Sequence, residues 1–227
     1  MPCDLPAAVV FVGPSIRAAG RPAIAGVAYR PPVRRGDLAA LAGDPERPAL
    51  VGIIDGEFDQ SLAVSPREVL GLLRLGVAVY GASSMGALRA AELHTLGMIG
   101  IGRVFELFRD EVVTAEDEVA ILFDPASELC LTEPLVNVRC ALDRCVALGQ
   151  LTAELAARLV ALAAALPYPE RTYRRLARAA ASELGADLEP LLPALRAHDQ
   201  KQLDGLALID AVARRLAASD PITASPA

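Results

Sequence analysis

Apolar residues are not spread evenly along the chain; they fall in short unbroken runs that each end in a polar or glycine-rich turn. Ala7–Val12 ends in Gly13-Pro14-Ser15, Leu50–Ile54 in Asp55-Gly56-Glu57, and Val77–Tyr80 in the small-residue loop Gly81-Ala82-Ser83-Ser84. Runs without polar alternation suit strands buried on both faces of a parallel sheet. Between the second and third runs, Ser65-Pro66 followed by Glu68 and by Val69, Leu70, Leu72 and Leu73 predicts a capped helix that Gly76 ends. A strand-helix-strand unit of this length implies a parallel crossover, and ligands of such sheets bind outside the carboxyl ends of the strands. The three polar turns therefore share one rim, and Ser15, Asp55, Glu57 and Ser84 are expected to face a common crevice.

The pattern changes towards the C-terminus. Glu116–Phe123 reads as a further strand opened by three carboxylates, which suit either a divalent cation or, more commonly, a solvated turn. From Pro134 onward the periodicity is helical, with helices predicted over Ala153–Leu166 behind a Thr152 cap, from Pro169 to Leu184, over Leu188–His198 and over Lys201–Leu216. The expected fold class is α/β, a parallel-sheet core with helices on both faces followed by an all-helical C-terminal half. The expected domains are residues 1–130 for the core carrying the serine loop and 131–218 for the helical subdomain, with a disordered tail over 219–227.

Composition narrows the function classes. A chain of 227 residues that is 53% apolar can bury a full core without disulfides or metal. No apolar run reaches the roughly 20 residues that cross a bilayer, and no basic segment precedes the first apolar stretch, so a soluble cytoplasmic protein with no membrane role is expected. A net charge of -6 with no concentrated basic surface argues against nucleic-acid binding. The pairs Arg34-Arg35, Arg174-Arg175 and Arg214-Arg215 read as solvated faces. The four cysteines, Cys3, Cys130, Cys140 and Cys145, have no zinc spacing, and with two histidines in all neither a metal site nor a cofactor is expected.

The most informative stretch is Leu75–Gly97, where an apolar run passes through small residues directly into an Ala/Leu-rich helical pattern. Ala82, Ser84 and Gly86 meet the small-x-Ser-x-Gly spacing that exposes a serine Oγ at a strand-to-helix turn. Ser84 is thus the leading candidate nucleophile. The same geometry also serves an anion-binding helix N-terminus or a simple N-cap by Ser83 or Ser84. The Met85 N–H follows the nucleophile and is the natural oxyanion donor.

A base for Ser84 is sought among His94, His198, Lys201, Asp55 and Glu92. His94 lies ten residues along the helix, about 15 Å away, and is out of reach. His198 is the stronger base on distance grounds and otherwise an ordinary surface histidine; Asp55 is either catalytic or the first residue of an Asp-Gly turn. Arg89 either pairs with Glu92 three residues on or holds a substrate carboxylate.

Five features, in order, resemble the TfuA-like proteins: Phe11-Val12-Gly13-Pro14-Ser15, Ile54-Asp55-Gly56, the Gly81–Leu93 block, Asp117-Glu118-Val119-Ala120, and Pro134-Leu135-Val136-Asn137-Val138-Arg139. Lys201–Asp204 adds a weaker match. The resemblance implies a partner role with YcaO enzymes, which use ATP to convert a peptide amide into a thioamide, in ribosomally made peptides among others. The absence of a Walker-type loop accords with a partner that handles ATP. Ala82-Ser83-Ser84-Met85-Gly86-Ala87 is also similar to the nucleophile turn of Clp-type peptidases. Together these imply that Ser84 attacks a thioacyl carbon and releases sulfide, the donor being a ubiquitin-like sulfur-carrier protein ending in a thiocarboxylate and the acceptor a precursor peptide. Gly13, Pro14, Ser15, Gly56, Ser83, Met85, Arg89, Asn137 and Arg139 are the expected substrate-binding residues, with Ser84, His198 and Asp55 catalytic. The alternative is a non-catalytic docking subunit that recruits the donor or activates the YcaO partner.

Overall fold

The computed structural model describes residues 6–58, 62–124, 127 and 129–218. The expected tail over 219–227 and Cys3 lie outside the described residues. By its contacts the chain divides into two compact units, Met1–Arg109 with Asp204–Ala227, and Asp110–Leu203.

The first unit is built on a five-stranded parallel sheet. In chain order it contains β1 (Ala8–Phe11), β2 (Val27–Arg30), α1 (Asp37–Gly43), β3 (Leu50–Ile53), α2 (Pro66–Arg74), β4 (Ala78–Ala82), α3 (Met85–Leu93), β5 (Ile99–Ile101) and α4 (Arg103–Arg109). The strand order is β2-β1-β3-β4-β5, every pair being parallel. The three apolar runs of the sequence are the three central strands, and every residue of β1 and β3 is buried. Alternate residues serve opposite faces. Ala8, Val10, Val12, Leu50, Ile54, Tyr80 and Ala82 pack against Leu208, Ile209 and Val212 of the last helix, while a Cβ at Gly81 would collide with the Gly86 carbonyl of α3 on the other face.

Local signals behave as their chemistry dictates. Ser65 and Glu68 form the expected capping box at α2. The α4 N-terminus is capped from a hundred residues away, the Val104 N–H donating to Asp204 Oδ2 at 2.7 Å. Two strands went unforeseen: β2 and β5 are short sheet edges of four and three residues, half-exposed and interrupted or preceded by glycine.

The second unit contains the two-residue strands β6 (Phe123–Asp124) and β7 (Leu129–Cys130), then α5 (Leu135–Ala147), α6 (Ala153–Ala165), α7 (Tyr173–Ala179), α8 (Leu192–Ala197) and the first turn of α9 (Gln200–Ala217). Its core is helix-on-helix, with Leu142, Leu159, Leu176 and Leu195 at the centre. The expected strand over Glu116–Phe123 is instead a 3-10 turn, Glu116–Val119, followed by a short antiparallel ribbon. Adjacent carboxylates prefer a turn in which each finds its own cation, and here two of them do, as described below. The helix expected from Pro169 begins later, because Pro167 and Pro169 shape a 3-10 turn and Thr172 caps α7 through the Arg175 N–H; Ala180–Leu184 then continues as a π-helical turn. Thr152 caps α6 as its sequence predicts. No helix among the described residues is long and apolar enough to cross a membrane.

Candidate functional site

Strand order reverses between β1 and β3, the place where open parallel sheets form their ligand crevice. The loops at the carboxyl ends of these two strands are joined by Asp55. Its Oδ2 accepts from the Gly13 N–H (2.8 Å) and the Ser15 N–H (3.0 Å), and its Oδ1 accepts from the Ser15 hydroxyl (2.7 Å). The carboxylate is 2% exposed. The Gly13–Ser15 loop therefore offers the paired amides of an anion nest, already filled by an anion of the chain itself. That occupancy argues against a phosphate at Gly13-Pro14-Ser15.

The network extends to the serine loop after β4. The Ser83 hydroxyl donates to Ser15 Oγ at 2.9 Å, completing a chain from Ser83 through Ser15 to Asp55. Ser83 is fully buried and takes a left-handed φ of 69°, a conformation that costs a non-glycine residue about 1 kcal/mol. It is held there by its hydrogen bond, and it turns the chain so that Ser84 begins α3.

Ser84 differs in every respect. Its side chain makes no capping hydrogen bond, and its hydroxyl has no hydrogen-bond partner among the described residues. It retains 8% exposure against none for Ser83. The N-cap explanation is removed for this side chain, because a capping serine accepts from the first-turn amides. Of those amides the Gly86 N–H donates instead to the Ile54 carbonyl at 3.3 Å, and the Leu88 N–H closes the first helical turn onto the Ser84 carbonyl at 3.2 Å. The Met85 N–H has no hydrogen bond among the described residues and lies at the positive end of α3.

Two glycines make this turn possible. A Cβ on Gly86 would lie 1.7 Å from the Ile53 carbonyl oxygen, and one on Gly81 would lie 2.2 Å from the Gly86 carbonyl oxygen. The first turn of α3 is thus pressed directly onto the backbone of β3 and β4. Gly56, bridged to Val33, packs against Met85 in the same way, a Cβ there meeting Met85 Cγ at 2.8 Å.

A model of the TfuA-like protein family matches residues 55–172. The chain belongs to the TfuA-like family. No curated protein matches its sequence. The matched span of this TfuA-like chain opens at Asp55, the residue that ties the β1 and β3 loops together.

Arg89, Asn137 and Arg139, also expected at the site, have partners of their own. Arg89, 8% exposed, donates from Nε to the Val64 carbonyl at 3.0 Å and from Nη1 to both Glu92 oxygens at 2.5 and 2.7 Å, which is the pairing its spacing allowed. Asn137, Arg139 and His198 belong to the second unit. There Asn137 accepts from the Lys201 N–H at 3.0 Å and donates to Asp199 Oδ1 at 2.9 Å, fixing the first turn of α9 together with the Gln202 N–H on Asp199. Lys201 is buried and donates from Nζ to the Val119 carbonyl. His198 is half-buried at the end of α8.

Sequence reasoning missed Arg171, the largest fully buried side chain. Its Nε and Nη2 donate to the Ala163 and Leu166 carbonyls, Nη2 also lies 3.6 Å from Asp117, and Nη1 has no partner among the described residues. Burial lowers its pKa against the opposing pull of Asp117. Beside it Arg139 grips Glu118 with two bonds of 2.7 Å. Two carboxylates of the Glu116–Val119 turn, Asp117 and Glu118, thus face arginines. Glu133, next to Asp199, is pushed up to about 7, first by burial and then by that neighbouring charge, with Arg196 opposing. An arginine in an arginine-rich helical half carries no sequence signal that distinguishes it as buried.

Proposed function

We propose that this chain is the accessory subunit of a YcaO-dependent peptide thioamidation, and that it releases sulfide by serine-dependent hydrolysis of a thiocarboxylated sulfur-carrier protein. The observation that carries the reading is the unbonded Ser84 hydroxyl at the head of α3, next to a serine that is locked to a buried carboxylate. Ser84 Oγ attacks the carbonyl carbon of the terminal thiocarboxylate, its proton passing to a base. The Met85 N–H and the α3 dipole stabilise the oxyanion. Collapse breaks the C–S bond as the base passes the serine proton to sulfur, and hydrosulfide leaves. Water then hydrolyses the acyl-serine ester, yielding the carrier carboxylate and free Ser84.

In this scheme Asp55, Ser15 and Ser83 are positioning residues. Asp55 already accepts three hydrogen bonds and acts on Ser84 only through the loop it shapes. A folded His198→Gln variant that loses sulfide release assigns the base to His198, and one that keeps it removes His198 from the mechanism. Incubation with thiocarboxylated carrier tests the reading: sulfide release that disappears in Ser84→Ala supports it, and release retained in that variant overturns it.

One observation favours a second reading, a docking subunit that brings the sulfur donor to the YcaO partner. No base is hydrogen-bonded to Ser84 among the described residues. On that reading Ser84→Ala leaves thioamide formation by the reconstituted pair unchanged.

A further inference from the structure

A pocket of about 290 Å³ opens at the same carboxyl rim, lined by Phe11, Arg30, Pro31, Pro32, Arg34 and Asp37. It stands at the ends of β1 and β2, and a chain of contacts links it to the serine loop. Pro32 packs so closely on Gly13 that a Cβ there would lie 2.4 Å from Pro32 Cγ, and the Gly13 N–H is bonded to Asp55. From Asp55 the hydrogen bonds run through Ser15 to Ser83, the neighbour of Ser84.

The charges of the pocket are unequally satisfied. Arg34 is held by Glu57 at 2.8 Å, and Asp37 accepts from the Arg34 N–H at 2.7 Å. Arg30 has no ion pair or hydrogen bond from its guanidinium among the described residues, and neither has Arg17, two residues beyond Ser15. An unpaired guanidinium beside a rigid Pro-Pro wall and an aromatic floor is complementary to a carboxylate carried on a short apolar stem. The volume lies at the lower end of small-molecule sites and suits one side chain rather than a cofactor. Two features disfavour phosphate: the loop amides that would cradle it are occupied by Asp55, and Asp37 on the pocket wall repels a dianion more than a monoanion.

Topology sets the distance to the reacting group. Arg30 ends β2 and Ser84 follows β4, and in the order β2-β1-β3-β4 these strands are three spacings apart. Three spacings of about 4.8 Å give about 14 Å, which an extended polypeptide covers in about four residues. Resting on the reading of Ser84 as the attacking residue, we infer that the Arg30 pocket is a specificity subsite for an acidic side chain, an Asp or Glu about four residues upstream of the carbonyl that Ser84 attacks.

Binding, not turnover, separates this inference from the chemistry it rests on. Fluorescence anisotropy is measured with a labelled decapeptide ending in an ordinary carboxylate and carrying Glu four residues before its C-terminus, and with the same peptide carrying Gln. The Glu peptide is expected to bind the wild type and Ser84→Ala alike, about tenfold more tightly than the Gln peptide, in a salt-sensitive manner. Arg30→Gln, a surface change that leaves the fold intact, erases the difference, and Arg30→Glu transfers the preference to a Lys peptide. Equal binding of the Glu and Gln peptides, no binding of either, or an unchanged preference in Arg30→Gln overturns the subsite. Displacement of the Glu peptide by millimolar inorganic phosphate, with no effect of equimolar acetate, reassigns the pocket to phosphate and also overturns it. A Glu preference that survives while Ser84→Ala keeps releasing sulfide would instead sink the nucleophile alone.

Discussion

The two units bury polar groups in opposite ways. In the first, three hydrogen bonds converge on the Asp55 carboxylate, a fourth adds Ser83, and the network stops one residue short of Ser84. In the second, the buried Glu118 is gripped by the partly exposed Arg139, and the buried Arg171 donates to the Ala163 and Leu166 carbonyls, one of its guanidinium nitrogens having no partner among the described residues. The first arrangement fixes a loop and isolates one hydroxyl at a helix N-terminus; the second fastens a turn to helices. Burial of a polar group is thus no guide to reactivity. What marks Ser84 is that the hydroxyls of its neighbours Ser83 and Ser15 are satisfied and its own is not.

The comparison breaks most visibly at Gly86. Its replacement by Ala drives a methyl into the Ile53 carbonyl, and a loss on the order of 4 kcal/mol or failure to yield folded protein is expected in urea denaturation. Asp55→Ala comes next, since it strands two buried amides and the Ser15 hydroxyl; about 3 kcal/mol is expected by the same measurement, with sulfide release falling as the Ser84 loop loosens.

The second unit is sharpened by pH. Because the folded-state pKa of Glu133 is raised from 4.5 to about 7, the folded chain binds a proton more tightly than the unfolded one. The resulting stabilisation is complete below about pH 4.5, declines as pH rises and is gone above about 7. Allowing for solvent reaching the half-buried carboxyl, it amounts to about 2 kcal/mol. Melting temperature followed against pH should show this slope in the wild type and lose it in Glu133→Gln. The smallest effect falls on the serines. Ser83→Ala should cost about 1 kcal/mol through the lost bond to Ser15, whereas Ser84→Ala should stay within about 0.5 kcal/mol because its hydroxyl has no bond to lose.

Much of the sheet was legible because its signals are local. The central strands are unbroken apolar runs, Ser65 and Glu68 cap a helix three residues apart, and the Ser84 turn demands small neighbours at fixed spacing. The edge strands β2 and β5 carry shorter runs, broken by Gly26 and Gly100, and are only half-buried, and Asp117 and Glu118 read as the start of a strand until their arginines, 21 residues or more away, were in place. At the site, the candidate serines, Asp55 and the shared rim were all foreseeable. The division of labour between Ser83 and Ser84 was not, because it depends on a hydrogen bond spanning 68 residues and on one left-handed φ. Asp55 likewise offered a turn or a catalytic role from sequence; its three donors make it the clasp of the β1 and β3 loops.

The most direct measurement sets these two serines against each other: initial rates of sulfide release from thiocarboxylated carrier protein for the wild type, Ser83→Ala and Ser84→Ala, each shown to be folded by its thermal melt. Release lost by at least about a thousandfold in Ser84→Ala at unchanged stability, with only partial loss in the less stable Ser83→Ala, is the predicted result. A Ser84→Ala protein that releases sulfide at the wild-type rate, or a Ser83→Ala protein that alone is inactive, would contradict the account.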